Sequence, residues 1–167
     1  MNDFFSKTDL SRKDAENIIS ETLNKCDDGE LYLENSKSES IVLDDDKIKS
    51  STYSSDLGYG LRAVTGEVVA YSHSNEISKN SLKQSADNLR STLKSKNGFY
   101  NHEIPKTNTK FYKSVNPIEE KSLQSKLELL KEVNSYTRAK GSIVQQVTAS
   151  FTGEHKSIEI IRSGGEV

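Results

Sequence analysis

The sequence DLGYGLRAVTGEVVAYSHS, residues 56–74, decides the fold class of this chain. One run of β-forming residues ends at Val64, a second begins at Val68, and Thr65-Gly66 lies between them. A glycine between two such runs is typical of the turn of a β-hairpin. We therefore predict two antiparallel strands at about 57–73.

The same stretch also resembles a nucleotide-binding loop, because Gly58-x-Gly60-x-x-Ala63 matches the pattern G-x-G-x-x-G/A. That pattern binds a dinucleotide only where a helix follows the loop and an acidic residue ends a strand roughly 20 residues further on. Here β-forming residues follow Ala63, and Glu76-Ile77-Ser78 is typical of a helix start. We therefore interpret the glycines as a bulge or a close backbone approach within the hairpin.

Composition limits the classes of function. The chain has 167 residues, of which 32% are hydrophobic and 29% charged, and its net charge is −2 with the signs interspersed. The length suits one domain, so we predict a single domain over residues 1–167. The low apolar content predicts a thin core, or one completed by further protein. The absence of a basic stripe argues against nucleic acid as a partner.

The cysteine count and the targeting signals of the sequence bear on the cellular location. The only cysteine, Cys26, excludes a disulfide within the chain and suits a reducing compartment. The first residues lack the features of a signal peptide, and no apolar stretch approaches the ~20 residues of a membrane span. We expect a soluble cytoplasmic protein with no membrane partner, and we interpret Cys26 as a buried apolar residue rather than a nucleophile.

Three helices are predicted from serine caps followed by apolar residues at helical spacing. They begin at Ser11, where Asp14 completes a capping box, at Ser78 and at Ser122, and they end at Asp27-Asp28-Gly29, at Asn97-Gly98 and at Gly141. The predicted buried face of the first helix is Ala15, Ile18, Ile19 and Leu23. That of the second helix is Leu82, Ala86, Leu89 and Leu93, with Ile77 before the cap as a hydrophobic staple. That of the third helix is Leu127, Leu130, Val133 and Tyr136, with Leu129 adjacent.

Short β runs lie between the helices. Before the 57–73 hairpin they are Glu30–Asn35, Ile41–Leu43 and Ile48–Tyr53, separated by Ser36-Lys37-Ser38 and Asp44-Asp45-Asp46. After the third helix we predict a strand Ile143–Phe151, a turn at Thr152-Gly153-Glu154, a returning strand Lys156–Arg162 and a last turn at Ser163–Glu166. The fold class is therefore α+β, an antiparallel β meander with hairpins packed with about three helices.

Two segments allow more than one interpretation. Asp44–Asp46 supplies oxygen ligands for a hard cation, but the offsets and the glycine of a calcium loop are missing, so we favour a polar turn. Residues 98–121 are predicted to be an irregular connection, and such long connections are usually functional or mobile. The aromatic residues of this connection are Phe99, Tyr100, Phe111 and Tyr112. They either form a binding surface or anchor the connection to the sheet, and we prefer the second interpretation.

No constellation of catalytic residues is found in the sequence. The three histidines, His73, His102 and His155, have no second histidine at ligand spacing, and Pro105 would break a zinc-binding helix that started at His102-Glu103. Ser91-Thr92-Leu93-Lys94 matches S-x-x-K, but the companion motifs S-D-N and K-T-G are absent. We therefore predict no catalytic, cofactor-binding or metal-binding residue.

Several motifs in a fixed order resemble the amino-terminal domain of the TldD/PmbA family, on the TldD branch. The resemblance extends from about Ser11 onward and rests on GELYLE (29–34), VLDD (42–45), GYGLRAVTGE (58–67), AYS (70–72), YKSVNP (112–117) and QVTAS (146–150). Each motif is loose by itself, whereas their order and spacing together are fairly specific.

The resemblance implies a cytoplasmic zinc metallopeptidase in its full-length form. A TldD-type subunit pairs with its paralogue PmbA, also called TldE, and the pair cleaves unfolded or modified peptides, as in the maturation of peptide antibiotics or the removal of an antitoxin. The family holds zinc on an H-E-x-x-x-H helix and a distant cysteine in its carboxy-terminal part. The present 167 residues contain no H-E-x-x-x-H motif, so no zinc ligand is transferred to this chain.

Three hypotheses about function follow. In the first, the chain is the amino-terminal part of a metallopeptidase subunit, inactive by itself, and its sheet edges at 58–73 and 156–162 hold extended peptides and shape the dimer contact. In the second, it is an interaction module that docks to a partner subunit. In the third, which the sequence disfavours, it is a nucleotide-binding enzyme based on Gly58 and Gly60. The turn near residue 163, with no strand after it, leads us to expect a detached domain.

Overall fold

The computed structural model describes residues 4–93, 98, 115–162 and 165–166. The helices are α1 (Arg12–Leu23), α2 (Lys79–Thr92), α3 (Pro117–Glu120) and α4 (Leu123–Arg138), and the strands are β1 (Asp28–Asp44), β2 (Lys47–Thr65), β3 (Val68–Ser74), β4 (Thr148–Arg162) and β5 (Gly165–Glu166). The strands form one sheet in the order β3-β2-β1-β4-β5. The predicted α+β class and the meander of β1, β2 and β3 are confirmed.

The two-residue turns of the meander follow from local backbone chemistry. Asp45 and Asp46 both have positive φ, +46° and +65°, and Gly66 has φ +58°. Two successive positive φ angles characterise the hairpin turn that matches the right-handed twist of the strands, and aspartate tolerates this conformation better than most residues. The interpretation of Asp44–Asp46 as a turn is therefore confirmed.

The first two strands are much longer than the sequence predicts. Ser36-Lys37-Ser38 does not interrupt β1, and the predicted run Ile48–Tyr53 and the first arm of the 57–73 hairpin belong to one strand, β2. The physical reason is that β1 has a hydrogen-bonded neighbour on each side, β2 and β4. Ladder pairing with these neighbours outweighs the weak β propensity of serine and lysine.

The predicted turn at Thr152-Gly153-Glu154 is wrong, because β4 runs through it without a break. The predicted returning strand Lys156–Arg162 is the second half of β4. A Cβ atom added to Gly153 would lie 3.3 Å from Cγ1 of Ile118, so this glycine allows close packing of α3 on the strand. The predicted start at Ile143 is also wrong, because Ile143 is 88% exposed and β4 begins at Thr148.

The expectation that no strand follows the turn near residue 163 is wrong, because Gly165 and Glu166 form the strand β5, whereas Ser163 and Gly164 lie outside the described residues. β5 pairs antiparallel with the end of β4, with Ile161 opposite Glu166 and Arg162 opposite Gly165. The irregular connection and its aromatic residues fall largely outside the described residues, as do Lys94, Asn97 and His102. Within the connection the structure contains the short helix α3, which the sequence analysis missed.

Contacts divide the chain into two units. Unit 1 comprises Met1–Asn35, Asp56–Lys113 and Ser157–Val167, and unit 2 comprises Ser36–Ser55 and Ser114–Lys156. The strands β1, β2 and β4 contribute residues to both units. That the whole chain is a single domain stays a prediction.

Unit 1 contains the larger core, built from helices whose caps and apolar stripes were predicted correctly. Ser11 Oγ accepts a hydrogen bond from the backbone N–H of Asp14 at 3.1 Å, and Ser78 caps α2 in the same way. The predicted stripes are buried: Ala15, Ile18, Ile19 and Leu23 on α1, and Leu82, Ala86 and Leu89 on α2, with Ile77 and Leu93 at its ends. They pack on the strand residues Leu31, Leu33, Leu61 and Ala63.

The predicted helix ends lie too late in the chain. α1 ends at Leu23, and Asp28 and Gly29 belong to β1. α2 ends at Thr92, before Asn97-Gly98, and α4 ends at Arg138, before Gly141. In each case the helix ends before the glycine that was expected to terminate it.

Unit 2 has a small core, and its long helix is rotated away from the predicted face. Leu130 is buried as predicted, but Leu129, Val133 and Tyr136 are exposed, whereas Lys126 and Asn134 are buried. The residues that form this core are Ile41, Leu43, Leu130 and Ala149, with Leu127 and Phe151 packed against them.

A buried ion pair involves Lys126, near the start of α4. The ammonium group of Lys126 donates hydrogen bonds to the Glu39 carboxylate and, at 2.7 Å, to the carbonyl oxygen of Ile118. It also lies 5.6 Å from the centre of the Phe151 ring. A buried ammonium group needs such partners, so these contacts allow Lys126 to lie in the interior of unit 2.

Acid should destabilise unit 2 through the carboxylate of Asp44. Gln146 and Thr148 donate hydrogen bonds to Asp44, at 3.0 and 2.8 Å, and hold its pKa below the ordinary value. A lowered folded-state pKa contributes stability that is fully present above the unfolded-state pKa, about 3.9, and is lost as the pH falls through the folded-state pKa. We expect Asp44→Asn to weaken the dependence of the unfolding free energy on pH below about 4.

Urea denaturation from pH 7 to pH 2.5 checks this expectation. The matched control is Asp46→Asn, because Asp46 is an exposed residue of the same turn and asparagine also tolerates its positive φ. An acid dependence that is identical in Asp44→Asn and in the unaltered chain would contradict the role given to Asp44.

Candidate functional site

The hairpin of β2 and β3 has one buried face and one open face. Its cross-strand pairs alternate, so Leu61 opposite Ser72 and Ala63 opposite Ala70 point toward the helices. The intervening pairs point to the open face: Gly60 opposite His73, Arg62 opposite Tyr71 and Val64 opposite Val69. This alternation follows from the two-residue period of a strand.

Two glycines allow close approach at the open end of the hairpin. A Cβ atom added to Gly60 would lie 2.5 Å from the Tyr71 hydroxyl oxygen, so the ring of Tyr71 lies against the backbone of β2 at this position. A Cβ atom added to Gly58 would lie 2.8 Å from the carbonyl oxygen of Ser74. The predicted close backbone approach is confirmed, and the chain after Ala63 enters a turn and β3 rather than a helix.

A cleft of about 250 Å³ lies at this end of the hairpin, and we call it the hairpin cleft. The residues that line it and matter for its chemistry are Tyr32, Glu34, Asp56, Gly58, Tyr71 and His73. Aromatic and acidic side chains therefore line the hairpin cleft together with the backbone of Gly58.

The aromatic groups of the hairpin cleft are held in defined positions. The rings of Tyr71 and His73 are stacked, with their centres 5.8 Å apart and their planes inclined by 27°. The Tyr32 hydroxyl donates a hydrogen bond of 2.5 Å to Glu34. Burial, together with the hydrogen bond and charge of Glu34, raises the pKa of Tyr32 to about 12. Tyr32 therefore remains a neutral donor at physiological pH.

The basic residues of the same face are matched by acids on β1. Arg62 Nη2 donates to Asp28 at 2.7 Å and its Nε to Glu30 at 3.4 Å, and Arg162 Nη2 donates to Glu30 at 3.1 Å. Burial alone would raise the pKa of Asp28, but the hydrogen bond and charge of Arg62 outweigh it and the pKa lies below its ordinary value. The two guanidinium groups therefore have local countercharges.

The two predicted peptide-binding edges have different surroundings. β3 is at one end of the strand order, and β2 is its only hydrogen-bonded neighbour among the described strands. The stretch 156–162 lies in β4 between β1 and the two-residue strand β5. The hairpin cleft adjoins the first of these edges.

The residues singled out in the search for chemistry are not brought together. His73 lines the hairpin cleft, whereas His155 belongs to unit 2. The pKa of Glu119 is lowered mainly by a hydrogen bond from Lys37, and the charge of His155 makes a smaller contribution in the same direction. Ser91 Oγ donates to the carbonyl oxygen of Asn88 at 2.8 Å. Within residues 4–93, 98, 115–162 and 165–166, no three His, Cys, Asp or Glu side chains form a group that could hold a metal ion. That the chain has no catalytic or metal-binding residue stays a prediction.

Cys26 behaves as the sequence predicts. It is a free thiol that is almost fully buried in the core of unit 1, and its Sγ lies 3.7 Å from the carbonyl oxygen of Thr22. Burial raises the pKa of the thiol, so the nucleophilic thiolate is disfavoured. In the part of the chain that the structure describes, no helix is both long and apolar enough to cross a membrane.

The sequence analysis did not single out Tyr32, Glu34, Asp56 or Tyr71 as site residues. A signal was nevertheless present, since a glycine inside a strand is often covered by an aromatic side chain of the neighbouring strand. Assigning Tyr71 to Gly60 requires the register of the hairpin, which places Tyr71 opposite Arg62, two residues along β2 from Gly60.

Comparison with known proteins identifies the domain. Residues 29–93 match the family model described as PmbA/TldA metallopeptidase domain 1. A metalloprotease TldD homolog of Buchnera aphidicola subsp. Acyrthosiphon pisum is 34% identical over 142 residues, which are 84% of this chain and 29% of that protein. A metalloprotease TldD homolog of Haemophilus influenzae is 31% identical over 145 residues, 83% of this chain and 30% of that protein.

Solved structures show the same fold. A Bacteroides thetaiotaomicron protein described as a candidate modulator of DNA gyrase has a TM-score of 0.67 at 19% identity, over 93% of this chain and 37% of that chain. TldE from Thermococcus kodakarensis has a TM-score of 0.60 at 15% identity, over 92% of this chain and 36% of that chain. The chain spans 29–34% of the length of the curated relatives that it matches. It belongs to the TldD/PmbA family and contains the amino-terminal domain of that family's metallopeptidases.

Proposed function

We propose that this chain is the amino-terminal domain of a TldD-type zinc metallopeptidase subunit that acts on unfolded or modified peptides. The domain is non-catalytic by itself, and it helps to shape the substrate cleft and the contact with a PmbA/TldE-type subunit. The main support is the match of residues 29–93 to domain 1 of the family, in a chain about a third as long as its relatives. The lone buried thiol of Cys26 supports a cytoplasmic location.

Zinc does not fit the residues that the structure describes. A catalytic zinc site needs three protein ligands around one point, and the described His, Cys, Asp and Glu side chains form no such group. In this proposal the residues that the structure describes do not supply the hydrolytic chemistry.

The part of the domain that binds peptide is the β3 edge. An extended peptide adds to a sheet edge through main-chain hydrogen bonds, and this mode tolerates many sequences because the backbone is common to all of them. That tolerance suits unfolded substrates. The edge also adjoins the hairpin cleft, where side chains of an added strand would find aromatic partners.

Amide hydrogen exchange tests the proposed peptide binding. We expect an unstructured peptide to slow exchange at β3 more than at the central strand β1, and a peptide with N-methylated backbone amides to have no effect. Zinc analysis and a peptidase assay on the purified chain test the other half of the proposal. Stoichiometric zinc together with cleavage would contradict a non-catalytic domain.

A second candidate function is a stand-alone module that docks to a partner protease subunit. It is favoured by exposed apolar residues on one side of α4, namely Leu129, Val133 and Tyr136. A groove of about 440 Å³ lies between α4 and β4 and is lined by Leu129, Val133 and Phe151. Such a patch is typical of a protein-binding surface.

Co-purification with a PmbA/TldE-type subunit tests whether this chain docks through the exposed face of α4. For a docking module we expect Val133→Glu to abolish co-purification, whereas Glu132→Lys, an exposed neighbour on the same helix, leaves it unchanged. If no complex forms at micromolar concentration, docking by this chain alone is wrong.

A further inference from the structure

We propose that the β3 edge selects peptides in which apolar and small polar side chains alternate. This inference rests on the proposed function and adds a substrate preference to it. The occupant is an extended peptide that pairs with β3 as one further strand. Its apolar side chains lie on the open face beside Val69 and Tyr71, and its small polar side chains lie on the helix side beside Ser72.

The sequence of β3 suits the addition of a strand. Val68–Ser74 reads VVAYSHS and contains no lysine, proline or glycine. Natural sheets commonly block an exposed edge with charged side chains, above all lysine, with proline or with a bulge. In the described part of the chain, β2 is the only strand that pairs with β3. A peptide strand can therefore pair along the other side of β3.

The open face of β3 is apolar and aromatic. Val69 is 59% exposed and Tyr71 is 64% exposed, and both point to this face at the two-residue period of the strand. A strand added to β3 lies about 4.8 Å from it, so every second side chain of the peptide comes to lie beside these two residues. Cross-strand pairs of aromatic and β-branched side chains stabilise a sheet.

The charges of the neighbouring strands do not favour a charged side chain at these positions. Arg62 lies opposite Tyr71 on β2 and is bound to Asp28 and Glu30. A charged peptide group would lose hydration beside Val69 and Tyr71, whereas an apolar side chain gains free energy when its surface is buried there.

The helix side of β3 is small and polar at its exposed end. Ser72 Oγ donates a hydrogen bond of 3.0 Å to Ser85 Oγ of α2, and the Tyr59 hydroxyl lies 2.9 Å from the same oxygen. The helix α2 contacts β3. A peptide side chain on this side therefore meets hydroxyl groups next to a helix, and a short side chain with a hydrogen-bonding group fits that position.

Two peptides of identical composition measure the preference. In one, valine and tyrosine alternate with serine and threonine; in the other, the same residues are separated into an apolar block and a polar block. We expect the 167-residue chain to bind the alternating peptide about three- to tenfold more tightly, because only that pattern places every apolar side chain on the open face. Fluorescence anisotropy measures both affinities, and analytical ultracentrifugation checks that each peptide is monomeric.

Substitutions on β3 locate the preference. Val69→Thr keeps a β-branched side chain and replaces a methyl group by a hydroxyl group, and Tyr71→Thr removes the aromatic ring. In each variant the ratio of the two affinities should shrink to about twofold or less. The ratio should stay unchanged in Ile48→Thr, because Ile48 is 55% exposed and lies in a part of β2 outside its pairing with β3. Near-ultraviolet circular dichroism checks that the variants are folded.

The outcomes separate this inference from the proposed function. Equal affinity of the unaltered chain for the two peptides overturns the preference for alternation and leaves peptide binding intact. If neither peptide binds, both proposals fail. If the ratio is unchanged in folded Val69→Thr, or falls as much in Ile48→Thr, the open face of β3 is not the source of the preference and the inference is wrong.

Discussion

Lys126→Met will lower the free energy of unfolding by about 3–5 kcal/mol. The Lys126 side chain is 4% exposed and its partner Glu39 is 11% exposed. Methionine keeps most of the aliphatic volume but removes the ammonium group, so the Glu39 carboxylate and the Ile118 carbonyl lose their buried donor. An uncompensated buried charge is among the costliest defects that one substitution can create.

Urea denaturation measures this effect, and two further variants interpret it. Lys131→Met makes the same chemical change at an exposed position of α4 and should stay within about 0.5 kcal/mol of the unaltered chain. The double variant Lys126→Met/Glu39→Leu should recover most of the loss, because an apolar pair avoids the desolvation of both charges. A loss in Lys126→Met no larger than that of Lys131→Met would show that the ion pair does not stabilise unit 2.

Leu61→Ala will lower the free energy of unfolding by about 2–5 kcal/mol. Leu61 is fully buried in the core of unit 1, where α1 and α2 pack on the strands. Truncation removes its apolar surface and leaves a cavity that close-packed neighbours fill only in part. This loss is a large fraction of the stability of an ordinary domain.

The matched control lies on the same strand. Leu57 is 42% exposed, so Leu57→Ala should cost much less, within about 0.5–1 kcal/mol. Thermal or urea unfolding measures both variants. Equal losses at the two positions would contradict the assignment of Leu61 to the core.

The starts of the three long helices could be predicted because their signals are local. The signals are a serine cap, its partner three residues later and an apolar stripe, and all of them lie within a few helical turns. Ser11, Ser78 and Ser122 act as caps as predicted. The hairpin turn at Gly66 is local for the same reason. Helix ends were less accurate, since termination depends on where packing against other elements stops.

The long strands and the face of α4 could not be predicted from local signals. Ser36-Lys37-Ser38 and Thr152-Gly153-Glu154 look like turns, yet both lie within strands that hydrogen-bond to distant partners. Apolar spacing on α4 favours Val133 and Tyr136 as buried residues, whereas the structure buries Lys126 against Glu39, 87 residues away in the sequence. A nonlocal ion pair leaves no periodic signal.

The sequence by itself determined the α+β class, the family, the capped helices, the 57–73 hairpin and the buried state of Cys26. Only the tertiary structure decided the length of the strands, the rotation of α4 and the assembly of Tyr32, Glu34, Asp56 and Tyr71 around one cleft. The reason is that caps, turns and apolar periods act over a few residues, whereas strand pairing, buried charges and clefts join residues that are far apart in the chain.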